Sequence, residues 1–225
     1  MQMNNNALIL ANGEPPTKRL MKKLLANWPL FVCADGGANT AARFKLKPSA
    51  VIGDFDSATP RSLKALRRTE LHKVVDDYST DLEKTLAWVI DNGAHTIVVA
   101  GATGGRLDHF IGNLSALVKF SNRAAITFID DSGEWIFIDR SKDLSLPVGT
   151  TVSLIPVSHC DGIVTKGLRW NLNFESLELG IRDGTSNVTL ETPVHISVAK
   201  GNLVLFHLFK PATAQTPSHQ RKHRK

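Results

Sequence analysis

The sequence predicts an α/β protein: an N-terminal parallel-sheet α/β domain, residues 1–140, followed by a C-terminal antiparallel β-sandwich domain, residues 141–211, and a basic tail, 212–225. Two observations carry this. From Ala7 to about Asp130, short apolar runs alternate with helical patterns, the signature of a helix-covered parallel sheet. After about Gly133, helical periodicity stops and short strands follow one another, separated by turn residues. A chain of 225 residues with 42% hydrophobic and 21% charged residues is long enough to bury a sizeable core.

In the first half, strands are predicted at Ala7–Ala11, Leu30–Ala34, Ala50–Ile52, Leu71–Val75, Thr96–Ala100 and Ala125–Ile129. The helices between them begin on recognisable signals. One runs from about Pro16 to Asn27, a short one spans Gly37–Phe44, and Thr59-Pro60 opens a third over Arg61–Arg67. Thr80 and Glu83 form a capping box for the fourth, whose stripe is Leu82, Leu86, Val89 and Ile90 and which ends at Asn92-Gly93. Leu107, Phe110, Ile111, Leu114, Leu117 and Val118 form the apolar face of the fifth. In the second half the predicted strands are Trp135–Ile138, Thr150–Ile155, Gly162–Val164, Val188–Glu191, His195–Val198 and Leu203–Leu208.

Composition excludes several function classes. The net charge of +6 includes four charges from Arg221, Lys222, Arg224 and Lys225, which read as a solvated tail and leave only +2 elsewhere. No nucleic-acid partner is expected. No signal peptide or membrane-spanning run is expected, and Cys33 and Cys160 lack metal-ligand spacing, so a cytoplasmic location and no membrane partner are expected. The tripeptides Asn113-Leu114-Ser115 and Asn187-Val188-Thr189 carry no weight without secretion.

Asp54 and Asp56 follow a predicted strand, while Asp35, Asp81 and Asp108 fall at other strand-to-helix junctions. In a parallel sheet those junctions share one edge, where ligands bind. Converging carboxylates about 4 Å apart repel by ~4 kcal/mol each at an effective dielectric near 20, so a divalent cation is the expected remedy. Oxygen ligands without histidine or cysteine point to Mg²⁺. Each acid also has a plainer reading: Asp54 and Asp56 as turn residues, Asp81 and Asp108 as helix-start acids favouring the macrodipole. Gly36-Gly37 and Gly104-Gly105 lie in strand-to-helix loops that can present backbone amides to an anion, with Arg106 as a phosphate clamp. Neither loop matches a P-loop or a dinucleotide fingerprint. In the β half, Trp170 is either core or a ring for stacking on an aromatic or cationic ligand.

Taken in order, Ala34-Asp35-Gly36-Gly37-Ala38-Asn39, Gly53-Asp54-Phe55-Asp56-Ser57, Ser79-Thr80-Asp81, Gly104-Gly105-Arg106-Leu107-Asp108-His109, Gly167-Leu168-Arg169-Trp170-Asn171-Leu172 and Thr185-Ser186-Asn187 resemble the motifs of the thiamin pyrophosphokinase family. The resemblance covers most of the chain. It implies a homodimer that converts thiamine and ATP to thiamine diphosphate and AMP with Mg²⁺. It also implies Asp54, Asp56 and Asp81 as metal ligands and, with Asp108, as catalytic residues. Asp35, Gly36, Gly37, Gly104, Gly105 and Arg106 would contact ATP, and Trp170, Ser186 and Asn187 thiamine. One departure is Asp77-Tyr78, where the family often carries glutamine or lysine and a further aspartate. Two rival readings are a haloacid dehalogenase-type phosphatase with Asp54 as nucleophile and a non-catalytic thiamine- or nucleotide-binding regulator. The first leaves the tryptophan motif unexplained, and the second should lack the acids.

Overall fold

In a computed structural model, which describes residues 5–211, the first half follows the predicted alternation. β1 (Asn6–Leu10), α1 (Lys18–Asn27), β2 (Leu30–Ala34), α2 (Gly37–Phe44), β3 (Ala50–Gly53), α3 (Pro60–Ala65), β4 (Glu70–Lys73), α4 (Asp81–Asp91), β5 (Thr96–Ala100), α5 (Leu107–Phe120) and β6 (Ala125–Ile129) form a succession of βα units. The parallel strands order as β6-β5-β1-β2-β3-β4. The order reverses between β1 and β5, and the crevice outside their carboxyl ends is where such sheets bind ligands.

Both sheet faces are covered, which is why the inner strands are continuous hydrophobic runs. Leu8, Leu10, Phe31, Cys33 and Val51 pack on one face with Met21 and Leu24 of α1 and Ala38 and Ala41 of α2. Ala7, Ile9, Val32 and Ile52 pack on the other with Leu82, Leu86 and Val89 of α4 and Leu114 and Leu117 of α5. Strand alternation thus sends each run to two cores.

The second half comprises β7 (Gly133–Ile138), β8 (Ser141–Leu144), β9 (Thr150–Pro156), β10 (Cys160–Lys166), β11 (Asn173–Leu177), β12 (Gly184–Val188), β13 (Val194–Ser197) and β14 (Leu203–Pro211). A sheet ordered β11-β10-β13-β8 packs on β12-β9-β14-β7. Ile136, Ile138, Leu154, Leu203 and Leu205 on one layer meet Ile163, Leu177, Val194 and Ile196 on the other. That is the expected antiparallel sandwich, with one addition. β7 pairs antiparallel with both β6 and β14, so the ten-stranded sheet runs without a break from the parallel half into the sandwich. The opposite face of this junction is aromatic: Trp135 lies 4.9 Å from Phe110 of α5 and 4.4 Å from Phe206, centroid to centroid.

Sequence reading and structure differ at short strands. β8 and β11 were not anticipated, because Ser-Lys-Asp-Leu and Asn-Phe-Glu-Ser-Leu are polar edge segments with little alternation. β12 spans Gly184–Val188 rather than Val188–Glu191, and its pairing with β9 shifts register between Gly184 and Asn187. The basic tail lies outside the described residues. Among the described residues no helix is long and apolar enough to cross a membrane.

Candidate active site

The carboxyl ends of β1, β2, β3 and β5 and the amino ends of α4 and α5 enclose a cleft of about 810 Å³, bordered by Asn12, Asp54, Asp56, Asp81, Gly104 and Arg106 among others. At its floor, carboxylate oxygens of Asp35, Asp54, Asp56 and Asp81 lie within 4.8 Å of one another. Four acids from three segments therefore meet at one point. A hard divalent cation fits such an all-oxygen donor set.

Local structure explains how they converge. Asp35 follows β2 with φ 30° and is fully buried, its carboxylate accepting from Ser57 N (3.0 Å) and Ala58 N (3.1 Å). This pins the loop after β3 beneath the end of β2. Burial raises the Asp35 pKa to about 6, with Asp81 adding to the rise and the two N–H donors opposing it. In that loop Phe55 takes φ 70°, Asp54 accepts the Asp56 N–H at 3.1 Å, and Asp56 accepts the Ser57 hydroxyl at 2.9 Å. The Asp56 N–H, aided by Lys84, holds Asp54 below the usual carboxylate range. A Cβ on Gly53, where φ is 151°, would lie 2.7 Å from that of Asp35, so only glycine lets these two strand ends approach.

Asp81 opens α4. The capping box is formed as expected: Glu83 N donates to Thr80 Oγ1 (3.2 Å) and Thr80 N to Glu83 Oε2 (2.9 Å). One turn on stands Lys84, which the sequence reading did not single out. Its ammonium lies 3.4 Å from Asp54 and 3.3 Å from Asp81, with only 5% of the side chain exposed. Its i,i+3 spacing from Asp81 on a capped helix was the available signal. Desolvation lowers the Lys84 pKa, but the two carboxylates outweigh it and the net shift is upward. Asp81 is nonetheless shifted upward, because burial exceeds the help from Lys84. An ammonium facing two carboxylates keeps its charge.

The remaining predicted residues divide. Asp108 borders the cleft but stands outside the four-acid cluster; it is exposed and paired with Arg106 (2.5 Å), which keeps its carboxyl below the usual range. Gly104 also borders the cleft, and it and Gly105 have φ of 71° and 65°. Gly36 and Gly37 are buried in close packing. A Cβ on Gly37 would meet Leu10 O at 2.0 Å, and one on Gly36 the Asn12 side chain at 2.3 Å, so they let α2 start against the end of β1. Asp77 borders the cleft, whereas Tyr78 is 99% exposed.

Trp170 and Asn187 line a second, smaller cavity of about 150 Å³ with Leu154, Leu172, Arg182 and Asp183. Asn187 accepts from Trp170 N (3.2 Å) and donates to Trp170 O (2.7 Å), which leaves the indole 58% exposed beside it. Ser186 is held at φ 61° by its N–H to Ser153 Oγ (3.1 Å). This cavity lies at β12 and β9, at the far end of the sheet from the acids.

A switch-point cleft with clustered acids, joined to a β-sandwich bearing an exposed indole, defines an α/β protein with a candidate metal- and anion-binding site. Residues 21–129 match the family model "Thiamin pyrophosphokinase, catalytic domain" and residues 136–203 match "Thiamin pyrophosphokinase, vitamin B1 binding domain". The chain belongs to the thiamin pyrophosphokinase family. Among its relatives, thiamine pyrophosphokinase 1 of Oryza sativa subsp. japonica is 33% identical, over 75% of this chain and 75% of that protein. The crystal structure of the Bacillus subtilis thiamine pyrophosphokinase is 25% identical with TM-score 0.77, covering 90% of this chain and 98% of that one. The Candida albicans structure shares the fold at TM-score 0.82 and 18% identity, covering 92% and 90%.

Proposed function

We propose that this enzyme transfers the diphosphoryl group of ATP to the hydroxyethyl oxygen of thiamine, giving thiamine diphosphate and AMP. The observation that carries the reading is the convergence of Asp35, Asp54, Asp56 and Asp81 at the floor of the switch-point cleft. Family membership favours it over the phosphatase and regulator readings. Asp54, Asp56 and Asp81, with Asp35 beneath them, would hold Mg²⁺, which when bound neutralises the polyphosphate and polarises the transferred group. In the transfer, the acceptor hydroxyl oxygen bonds to the β-phosphorus as the bond from that phosphorus to the α,β-bridging oxygen breaks; the bridging oxygen leaves with AMP, and the hydroxyl proton passes to solvent.

Such a reaction asks the protein chiefly for positioning and charge neutralisation. Gly104 and Arg106 border the cleft and, with the adjoining Gly105, suit the phosphates, with Asp108 orienting the guanidinium. Trp170, Ser186 and Asn187 suit the cationic, aromatic acceptor: an exposed indole attracts such a ring by roughly 0.5–2 kcal/mol.

The spacing of the two cavities supports a homodimer. Eight strand-to-strand steps separate β12 from β3 in the sheet. At about 4.8 Å per step that is roughly 38 Å, too far for one chain's indole to hold a substrate against its own acids. A second subunit presenting its sandwich to this cleft closes the gap. The two-part division, with the boundary after residue 140, then describes function: one part for nucleotide and metal, one for acceptor and dimerisation. A cytoplasmic location is also proposed, with which the two free, buried cysteines Cys33 and Cys160 are consistent.

Product analysis tests the reaction. With ATP, thiamine and Mg²⁺ we expect AMP and thiamine diphosphate in equal amounts. ADP with thiamine monophosphate would overturn the diphosphoryl transfer, and inorganic phosphate released from phosphomonoesters would favour the phosphatase.

A further inference from the structure

Two loops wall the cleft at the switch point, and both are fastened from outside it. The loop after β1 and the loop after β5 are laced together by backbone bonds: Ala11 N to Ala100 O (2.8 Å), Gly13 N to Gly101 O (2.7 Å) and Glu14 N to Thr103 O (2.8 Å). Their contact leaves no room for adjustment by side chains. A Cβ on Gly13 would lie 2.5 Å from Gly101 O, and one on Gly104 would lie 2.5 Å from that of Glu14. Asn12, Gly13, Gly104 and Arg106 from this pair of loops border the cleft.

The outer anchors are Asp130 and Asp131, in the turn between β6 and β7. Asp131 accepts from Thr17 N (2.7 Å) and Thr17 Oγ1 (2.6 Å), fixing the far end of the first loop where Thr17 caps α1. Asp130 accepts from Thr103 Oγ1 (2.8 Å), fixing the second loop, and its other oxygen accepts from Ser132 N (2.7 Å) and Gly133 N (3.0 Å), which closes the turn. Neighbouring carboxylates thus take one loop each. Neither borders the cleft.

We propose that Asp130 and Asp131 are positioning residues for the nucleotide, acting through Thr103 and Thr17 to set the spacing of the two loops that receive the phosphates of ATP. The inference rests on the diphosphotransferase reading above. Two adjacent carboxylates, each tying one loop to the same turn, convert the loops' separate fluctuations into one fixed gap, and loss of such positioning commonly costs about tenfold or more. Because the acids at the end of β3 and the sandwich cavity lie elsewhere, the effect falls on ATP and spares thiamine.

The test compares wild type with Asp131→Ala, Asp131→Asn and Thr17→Ser. Steady-state kinetics and calorimetric titration with Mg-ATP, which reads binding without turnover, are run on each. For Asp131→Ala we expect KM and Kd for ATP to rise about tenfold, with KM for thiamine and kcat within about twofold. Asp131→Asn, still able to accept one bond, should fall between, and Thr17→Ser, which keeps both donors, should match wild type. Unchanged ATP affinity in Asp131→Ala, or equal weakening of ATP and thiamine, would overturn the proposal. A wild type that binds Mg-ATP but forms no AMP would sink the activity reading alone. The calorimetric comparison would still decide the role of Asp131.

Discussion

Asp35 is a buried carboxyl whose pKa rises on folding from 3.8 to about 6, chiefly through desolvation. An acid with a raised native pKa binds its proton more tightly when folded. Its stabilisation is therefore full below the unfolded value and is lost as pH climbs from about 4 to about 6. In EDTA, the unfolding free energy of wild type relative to Asp35→Asn should drop on the order of 2–3 kcal/mol across that window. Denaturant titrations at several pH values read this directly, and parallel profiles would contradict it. Lys84 supplies the opposite charge. Removing it in Lys84→Met should lower metal-free stability by about 1–2 kcal/mol, discounted because Asp54 and Asp81 remain partly exposed. Added Mg²⁺ should then raise the melting temperature of the variant more than that of wild type. Four of the five acids could be brought together from the sequence because strand-to-helix junctions of a parallel sheet share one edge. Lys84 was not singled out by its i,i+3 spacing from Asp81 alone, since a lysine on an amphipathic helix usually points to water. Nor was the role of Gly36 and Gly37, whose close approach to β1 exists only in three dimensions.

At the scale of elements, α4 carries the link between local sequence and site. Its capping box fixes where the helix begins, and so where Asp81 and Lys84 point. Thr80→Ala should cost about 1 kcal/mol in thermal or chemical denaturation. Activity should fall by more than that loss explains, because the first turn frays beneath two groups of the cluster. Equal stability and full activity would show that packing of Leu82 and Leu86 alone sets the helix start. Helices with caps and apolar stripes were readable to within a few residues. Edge strands β8, β11 and β12 were not. Their residues carry little hydrophobic alternation, and their pairing depends on partners distant in sequence.

For the whole molecule, two sequence textures conceal one continuous sheet. β7 joins β6 to β14, and Trp135 is packed between Phe110 and Phe206 across the junction. The two halves should therefore unfold together: a single denaturant transition, superimposable by tryptophan fluorescence and circular dichroism, is expected, and two separated transitions would contradict it. No local pattern announces that continuity, because it depends on β14 at the far end of the described chain. If the acid cluster holds the metal that the transfer needs, replacing its exposed member Asp56 must abolish most of the turnover. Asp56→Asn preserves shape and removes one charge from the floor of the cleft. We predict that thiamine diphosphate formation by this variant, at saturating ATP, thiamine and Mg²⁺, falls by about a hundredfold or more while its melting temperature stays within a few degrees of wild type. Turnover equal to wild type would show that Asp56 does not hold a metal the transfer needs.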